Sequence, residues 1–158
     1  MSPKKVVDTP MTTTIHSSES MAVAQEAVAL NNEGLRLSET GDFAGAERLH
    51  LKALDIKLRG MGPSAFSTSI SYNELGETYI RMHELEKAES NLKKAIEIRN
   101  MYPNHAFDAA VSREYLAQVY EMRGDLVKAK ETRLSAGKLN IACAHDRVRQ
   151  TAIYRLRQ

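Results

Sequence analysis

Nucleophilic or metal-assisted chemistry in this chain would have to start from one cysteine and five histidines. Cys143 and His145 make a Cys-x-His pair, but a zinc site needs about four ligands in tetrahedral reach, and there is no second cysteine to add to them. As a nucleophile, Cys143 would need a base and an electropositive setting, for which His145 and Arg147 are the nearby candidates. A small residue at a helix junction is the simpler account of it. His16, His50, His83 and His105 are spread along the chain without ligand spacing. No glycine-rich phosphate loop of Walker or dinucleotide type is present. These residues point away from catalysis, cofactors, metals and small-molecule substrates.

Binding chemistry is better represented. Arg147, Arg149, Arg155 and Arg157 stand against a single acid, Asp146, and alternate with Ile153, Tyr154 and Leu156. An amphipathic helix built from them could meet an acidic partner, RNA or a membrane surface, and such phosphate contacts would weaken steeply with salt. The plainer alternative is the solvated outer face of a terminal helix. The whole-chain net charge of +2 does not by itself favour nucleic acid or an anionic membrane.

The elements that carry these residues repeat. A shift of 42 residues takes Gly34 to Gly76, Gly41 to His83, Asp42 to Glu84, Phe43 to Leu85, Ala46 to Ala88 and Ala53 to Ala95. A further shift of 41 takes Leu75 to Leu116, Gly76 to Ala117, Tyr79 to Tyr120, Glu84 to Asp125 and Ala88 to Ala129. Within a copy, Tyr72, Leu75, Gly76 and Tyr79, and then Leu85, Ala88, Leu92 and Ala95, recur at three- and four-residue steps, which predicts two amphipathic helices around a polar turn at 81–84. Gly34, Gly76 and Ala117 on the first helices and Ala46, Ala88 and Ala129 on the second let two backbones approach closely; a larger side chain there would cost about 1–3 kcal/mol. His50 and His83 take positions that Leu92 and Gly124 fill in other copies, so they read as repeat substitutions.

The order Tyr72-x-x-Leu75-Gly76-x-x-Tyr79, then Ala88 and Ala95, resembles the tetratricopeptide repeat. The longer period, with AIEIRNMYPNHAFDAAV over 95–111, is similar to the extended repeat of kinesin light chains, in which the second helix runs on to an arginine and a loop with His and Pro follows. The resemblance covers roughly 22–140 and implies an all-α, right-handed superhelix of about three helix pairs, acting as a protein-interaction module. It also implies a concave face lined by the first helix of each unit. Transferred by position, that face takes Asn31, Asn32, Leu35 and Ser38, then Asn73, Glu77, Ile80 and Arg81, then Glu114, Gln118 and Glu121. Asn31 and Asn73 match asparagines that resemble a backbone-gripping ladder, a task suited to an amide that both donates and accepts. Glu114 departs from that ladder. Acids stand where repeats that clamp a C-terminal carboxylate carry bases, so that binding mode is disfavoured. A solvated face is the plain alternative for the whole set.

The expected boundaries follow. Residues 1–18, with Pro3, Pro10 and a Ser/Thr cluster, bury too little to repay ordering and predict a disordered tail, in which Thr9-Pro10 could accept phosphate. Units are expected over about 22–60, 64–101 and 106–142, with helices near 20–39, 43–59, 64–82, 84–101, 106–122 and 125–142. Helix six should pack most loosely, since Arg133 replaces Leu92 and Gly137 replaces Ile96. Residues 143–158 carry Ala152 and Tyr154 in the register of Val111 and Tyr72, which predicts a half-repeat capping helix; a bared repeat end would stack on a second copy of the chain. A lone cysteine, no apolar run near 18 residues and no apolar core after Lys4 and Lys5 point to the cytosol and to no membrane span.

Overall fold

In the computed structural model, residues 12–135 are described, and side chains from 21 onward. Among them are six α-helices and no strand: α1 (Thr12–Glu39), α2 (Phe43–Gly60), α3 (Phe66–Arg81), α4 (Leu85–Asn100), α5 (Ala106–Met122) and α6 (Leu126–Leu134), with a 3-10 turn at Pro103–His105 before α5. Four of the expected helices lie within two residues of their predicted ends. α1 begins at Thr12 rather than near Ser20, inside the segment expected to be a tail. Extending a helix already anchored by packing gains one hydrogen bond per residue fixed and needs no new nucleus. The end expected for helix six, with Gly137, lies outside the described residues, as do residues 1–11 and the expected capping segment 143–158.

Each turn inside a unit uses one device. Asp42 N–H bonds Leu37 C=O at 2.9 Å, Glu84 N–H bonds Tyr79 C=O at 2.9 Å, and Asp125 N–H bonds Tyr120 C=O at 2.8 Å. The residue before each is left-handed: Gly41 at φ 89°, His83 at φ 59° and Gly124 at φ 80°. This is the Schellman closure, which satisfies carbonyls that the helix end leaves over. Asp42 and Asp125 then cap the following helix, accepting from Gly45 N–H at 2.8 Å and Lys128 N–H at 3.1 Å. Glu84 caps α4 without a side-chain bond.

Consecutive helices pack in pairs along the chain, and α3 touches both α1 and α5, so the first helices form one layer. The core runs through Leu54, Leu75, Tyr79, Leu92, Leu116 and Val119, with Ala46, Ala53, Ala88, Ala95 and Ala129 closing the helix contacts. Gly76 leaves room for the facing helix: a Cβ there would lie 2.6 Å from Leu92 Cγ. Units are also tied side chain to side chain at one register, Tyr79 Oη donating to Glu47 at 2.8 Å and Tyr120 Oη to Glu89 at 3.0 Å.

Candidate functional site

The inner layer places the residues of the expected concave face on three neighbouring helices, α1, α3 and α5, but it does not leave them equally open. Asn31 and Asn73 are each 5% exposed, and Ser38, Glu77, Ile80 and Glu114 are buried as well. Leu35, Arg81 and Gln118 are half-buried, while Asn32 and Glu121 are exposed.

The two asparagines hold adjacent units together. At the first junction Asn31 Nδ2 donates to Ser71 Oγ at 3.1 Å, and Lys57 Nζ donates to the same hydroxyl at 3.0 Å. His50 Nδ1 lies 3.1 Å from Asn31 Oδ1, an acceptor, so the imidazole carries its proton on Nδ1. At the second junction Ser112 Oγ donates to Asn73 Oδ1 at 2.7 Å and accepts from Arg99 Nη1 at 2.6 Å. Arg99 also reaches Asn73 at 3.2 Å, Ser69 at 3.2 Å and the Asp108 carbonyl at 2.8 Å. One motif is thus used twice: an asparagine on a first helix, a base ending the second helix, and a serine opening the next unit. An amide engaged in this way cannot also grip a peptide backbone without opening the junction, so the ladder expected of Asn31 and Asn73 is met by an internal role.

Unit three changes two of these positions together. Glu114 stands in the register of Asn73, and Arg133 stands in that of Leu92. Arg133 Nε donates to both carboxylate oxygens of Glu114, at 3.0 and 2.9 Å, and its other nitrogens reach Glu121. Hydrogen bonds donated to Glu121 and then to Glu114 hold the Arg133 guanidinium firmly charged. Helix six therefore replaces an apolar contact with a forked ion pair, and the looseness expected from Arg133 does not arise at this point.

Burial governs the charges of unit one. It pushes the His50 imidazole down to about 4, with Glu77 opposing and Lys57 adding to the shift. It also lowers the Lys57 ammonium to about 8, against the pull of Glu74. His50 Nε2 is buried with no hydrogen-bond partner, and so is Arg81 Nε. Arg81 otherwise donates to Glu77 at 3.1 Å and lies 5.8 Å from the centre of the Phe43 ring.

Position-by-position transfer named Asn31 and Asn73 but missed Ser71, Ser112 and Lys57. The signal was present: Lys57 and Arg99 are 42 apart, and Ser71 and Ser112 are 41 apart. Arg147, Arg149, Arg155 and Arg157, with Cys143 and His145, lie outside the described residues, and the side chain of His16 is not described either. Among the described residues no cluster of three His, Cys, Asp or Glu could hold a metal ion, and no helix is long and apolar enough to cross a membrane.

Two family models described as tetratricopeptide repeat match this chain, one over residues 27–64 and one over 67–132. No curated protein matches it. Among solved structures, the crystal structure of BtubC (BKLC) from P. vanneervenii superposes with a TM-score of 0.67 at 25% sequence identity. The match covers 76% of this chain and 48% of that one, so the chain spans about half the length of the protein it resembles. Repeats of this kind are non-catalytic scaffolds that generally mediate protein–protein interactions. With helix pairs stacked at the matched positions and the same superhelical arrangement in a solved relative, the chain belongs to the tetratricopeptide-repeat family.

Proposed function

We propose that this chain is a non-catalytic interaction module, of the kinesin-light-chain-like form, that receives an extended peptide or partner helix along the layer formed by α1, α3 and α5. The observation that carries the reading is Arg81 Nε, a buried N–H donor on that layer with no protein acceptor. A desolvated donor left unmet costs about 1–3 kcal/mol, and a turn of the Arg81 side chain toward the groove would let a main-chain carbonyl of a bound peptide meet it. Asn32, Leu35, Gln118 and Glu121 are the members of the concave set open enough to touch the same ligand. A cytosolic setting suits such an adaptor.

The test starts with capture from the source cell and ends with measured affinity. Peptides from a captured protein would be titrated by fluorescence anisotropy against the wild-type chain and against Asn32→Ala/Gln118→Ala. A loss of tenfold or more with an unchanged melting temperature supports the inner face. Equal affinities would move the site elsewhere, and if that binding also fell steeply with salt, the basic C-terminal arginines would become the better account.

A further inference from the structure

The connection between units two and three carries two adjoining cavities of a different chemical character from the concave set. A cavity of about 270 Å3 opens where α4 ends and α5 begins, lined by Arg99, Asn100, Tyr102, Ala106, Arg113 and others, with two guanidiniums and no acid among the lining residues. A neighbouring cavity of about 360 Å3 shares Asn100, Arg113 and Ser135 and adds both Lys93 and an acid, Glu97, which makes no ion pair with Arg113. None of the residues lining the first belongs to the concave set.

Arg113 is the unusual member. It occupies the register of Tyr72, a half-buried aromatic residue with Lys94 Nζ lying 5.2 Å from the ring centre. Arg113 is half-buried too, and no ion pair compensates it among the described residues. Its hydrogen bond goes to a neutral group, from Nη2 to Asn100 Oδ1 at 2.6 Å. Burial lowers its guanidinium pKa, with no acid opposing. Withdrawing a guanidinium from water is unfavourable unless an anion meets it.

The Asn100 contact gives the site its shape. With its Oδ1 accepting from Arg113, Asn100 keeps an Nδ2 donor that has no acceptor among the described residues. Both side chains line the cavity, so both can donate N–H groups to a carboxylate that enters it. A planar carboxylate accepts from a guanidinium through both oxygens.

We infer that the Arg113–Asn100 cleft is a carboxylate-binding site, which takes an acidic side chain of a peptide partner or a free small carboxylate. Unit two, with Tyr72 in the same place, lacks the guanidinium, so among the described residues the site belongs to the junction of α4 and α5.

The test uses the full chain and two probes, a fluorescein-labelled hexaglutamate peptide and free glutarate. Arg113→Tyr restores the residue unit two already accommodates, and Arg113→Gln keeps a polar side chain, so one of them should fold even where the other does not. Both should weaken hexaglutamate binding by tenfold or more, and Arg113→Lys should fall between them and wild type. Competition by millimolar glutarate would extend the site to free carboxylates; no competition would assign it to peptide side chains. Wild-type protein that fails to bind hexaglutamate at millimolar concentration, or folded Arg113→Tyr and Arg113→Gln variants that bind it as wild type does, would overturn the inference.

Discussion

The imidazole of His50 packs against Gly34, so close that a Cβ on Gly34 would stand 2.7 Å from His50 Cε1. Leu92 takes the same position over Gly76 one unit later, and Arg133 and Ala117 stand in that register in the unit after that. Three chemically unrelated side chains thus occupy one place in the solenoid, each with its own partner on the first helix: Asn31 for His50, an apolar pocket for Leu92 and Glu114 for Arg133.

His50→Leu should therefore stabilise the protein. The unit-two geometry shows that leucine fits beside a glycine in this place, and the change removes a buried, unpaired Nε2. Asn31 Oδ1 keeps a hydrogen bond from Ser71. A gain of about 1 kcal/mol at pH 7.5 is expected in urea unfolding.

The same substitution should flatten the response to acid. The folded-state pKa of His50, about 4, lies below its ordinary value of 6.5. Between those values the unfolded chain binds a proton that the folded chain refuses, so stability falls as pH falls from 6.5 toward 4. At pH 5 the wild type should have lost about 2 kcal/mol through this group. Lys57 and Glu77 are the charges that bear on the imidazole, and both remain in the variant. The wild-type-minus-variant difference isolates His50; equal acid sensitivity in the two proteins would show that the ring is not held neutral.

The turn of unit two carries a separate strain. His83 holds φ 59° where the other two units have glycine. A side chain in the left-handed region costs roughly 1–2 kcal/mol, partly offset because glycine has more freedom to lose on folding. His83→Gly should thus raise stability by about 0.5–1 kcal/mol, and it leaves the Glu84 N–H to Tyr79 C=O closure in place. A lower melting temperature would mean that the imidazole makes a contact worth more than the strain.

How far the sequence reaches is decided by what repeats. The close approach at Gly76 was legible because Gly34, Gly76 and Ala117 recur in register with alanines on the facing helix. The helix ends near Glu39, Gly60 and Met122 were legible because turn residues recur with them. Transfer by position from the resembled repeat put Asn31 and Asn73 on first helices, α1 and α3. It could not say which way an amide is committed, since that depends on Ser71 and Ser112, residues that belong to the following unit and pair across a junction. Arg133 misled for the same reason: judged within its own helix it interrupts an apolar stripe, and its partner Glu114 sits 19 residues earlier on another helix. Arg113 breaks the repeat without altering the pattern of buried positions, so only its surroundings mark it.

The two roles open to the inner-layer polar residues separate in one experiment. Asn73 accepts from Ser112 at 2.7 Å and from Arg99 at 3.2 Å, and both donors are buried with it. Asn73→Ala removes their acceptor while leaving Arg99 the Asp108 carbonyl, so the expected cost is that of a partly unsatisfied buried network, about 1–3 kcal/mol. That loss should appear in urea unfolding and should loosen the junction between α3 and α5, read as faster amide hydrogen exchange at Asp108 to Ser112. Asn32→Ala, at an exposed position one residue from Asn31, should leave the melting temperature within error. A peptide held by the inner face should respond in the opposite order, with affinity reduced by Asn32→Ala and retained by whatever fraction of Asn73→Ala remains folded. If Asn73→Ala instead abolished peptide binding with stability unchanged, Asn73 would be gripping ligand, and the junction network would not be what holds units two and three together.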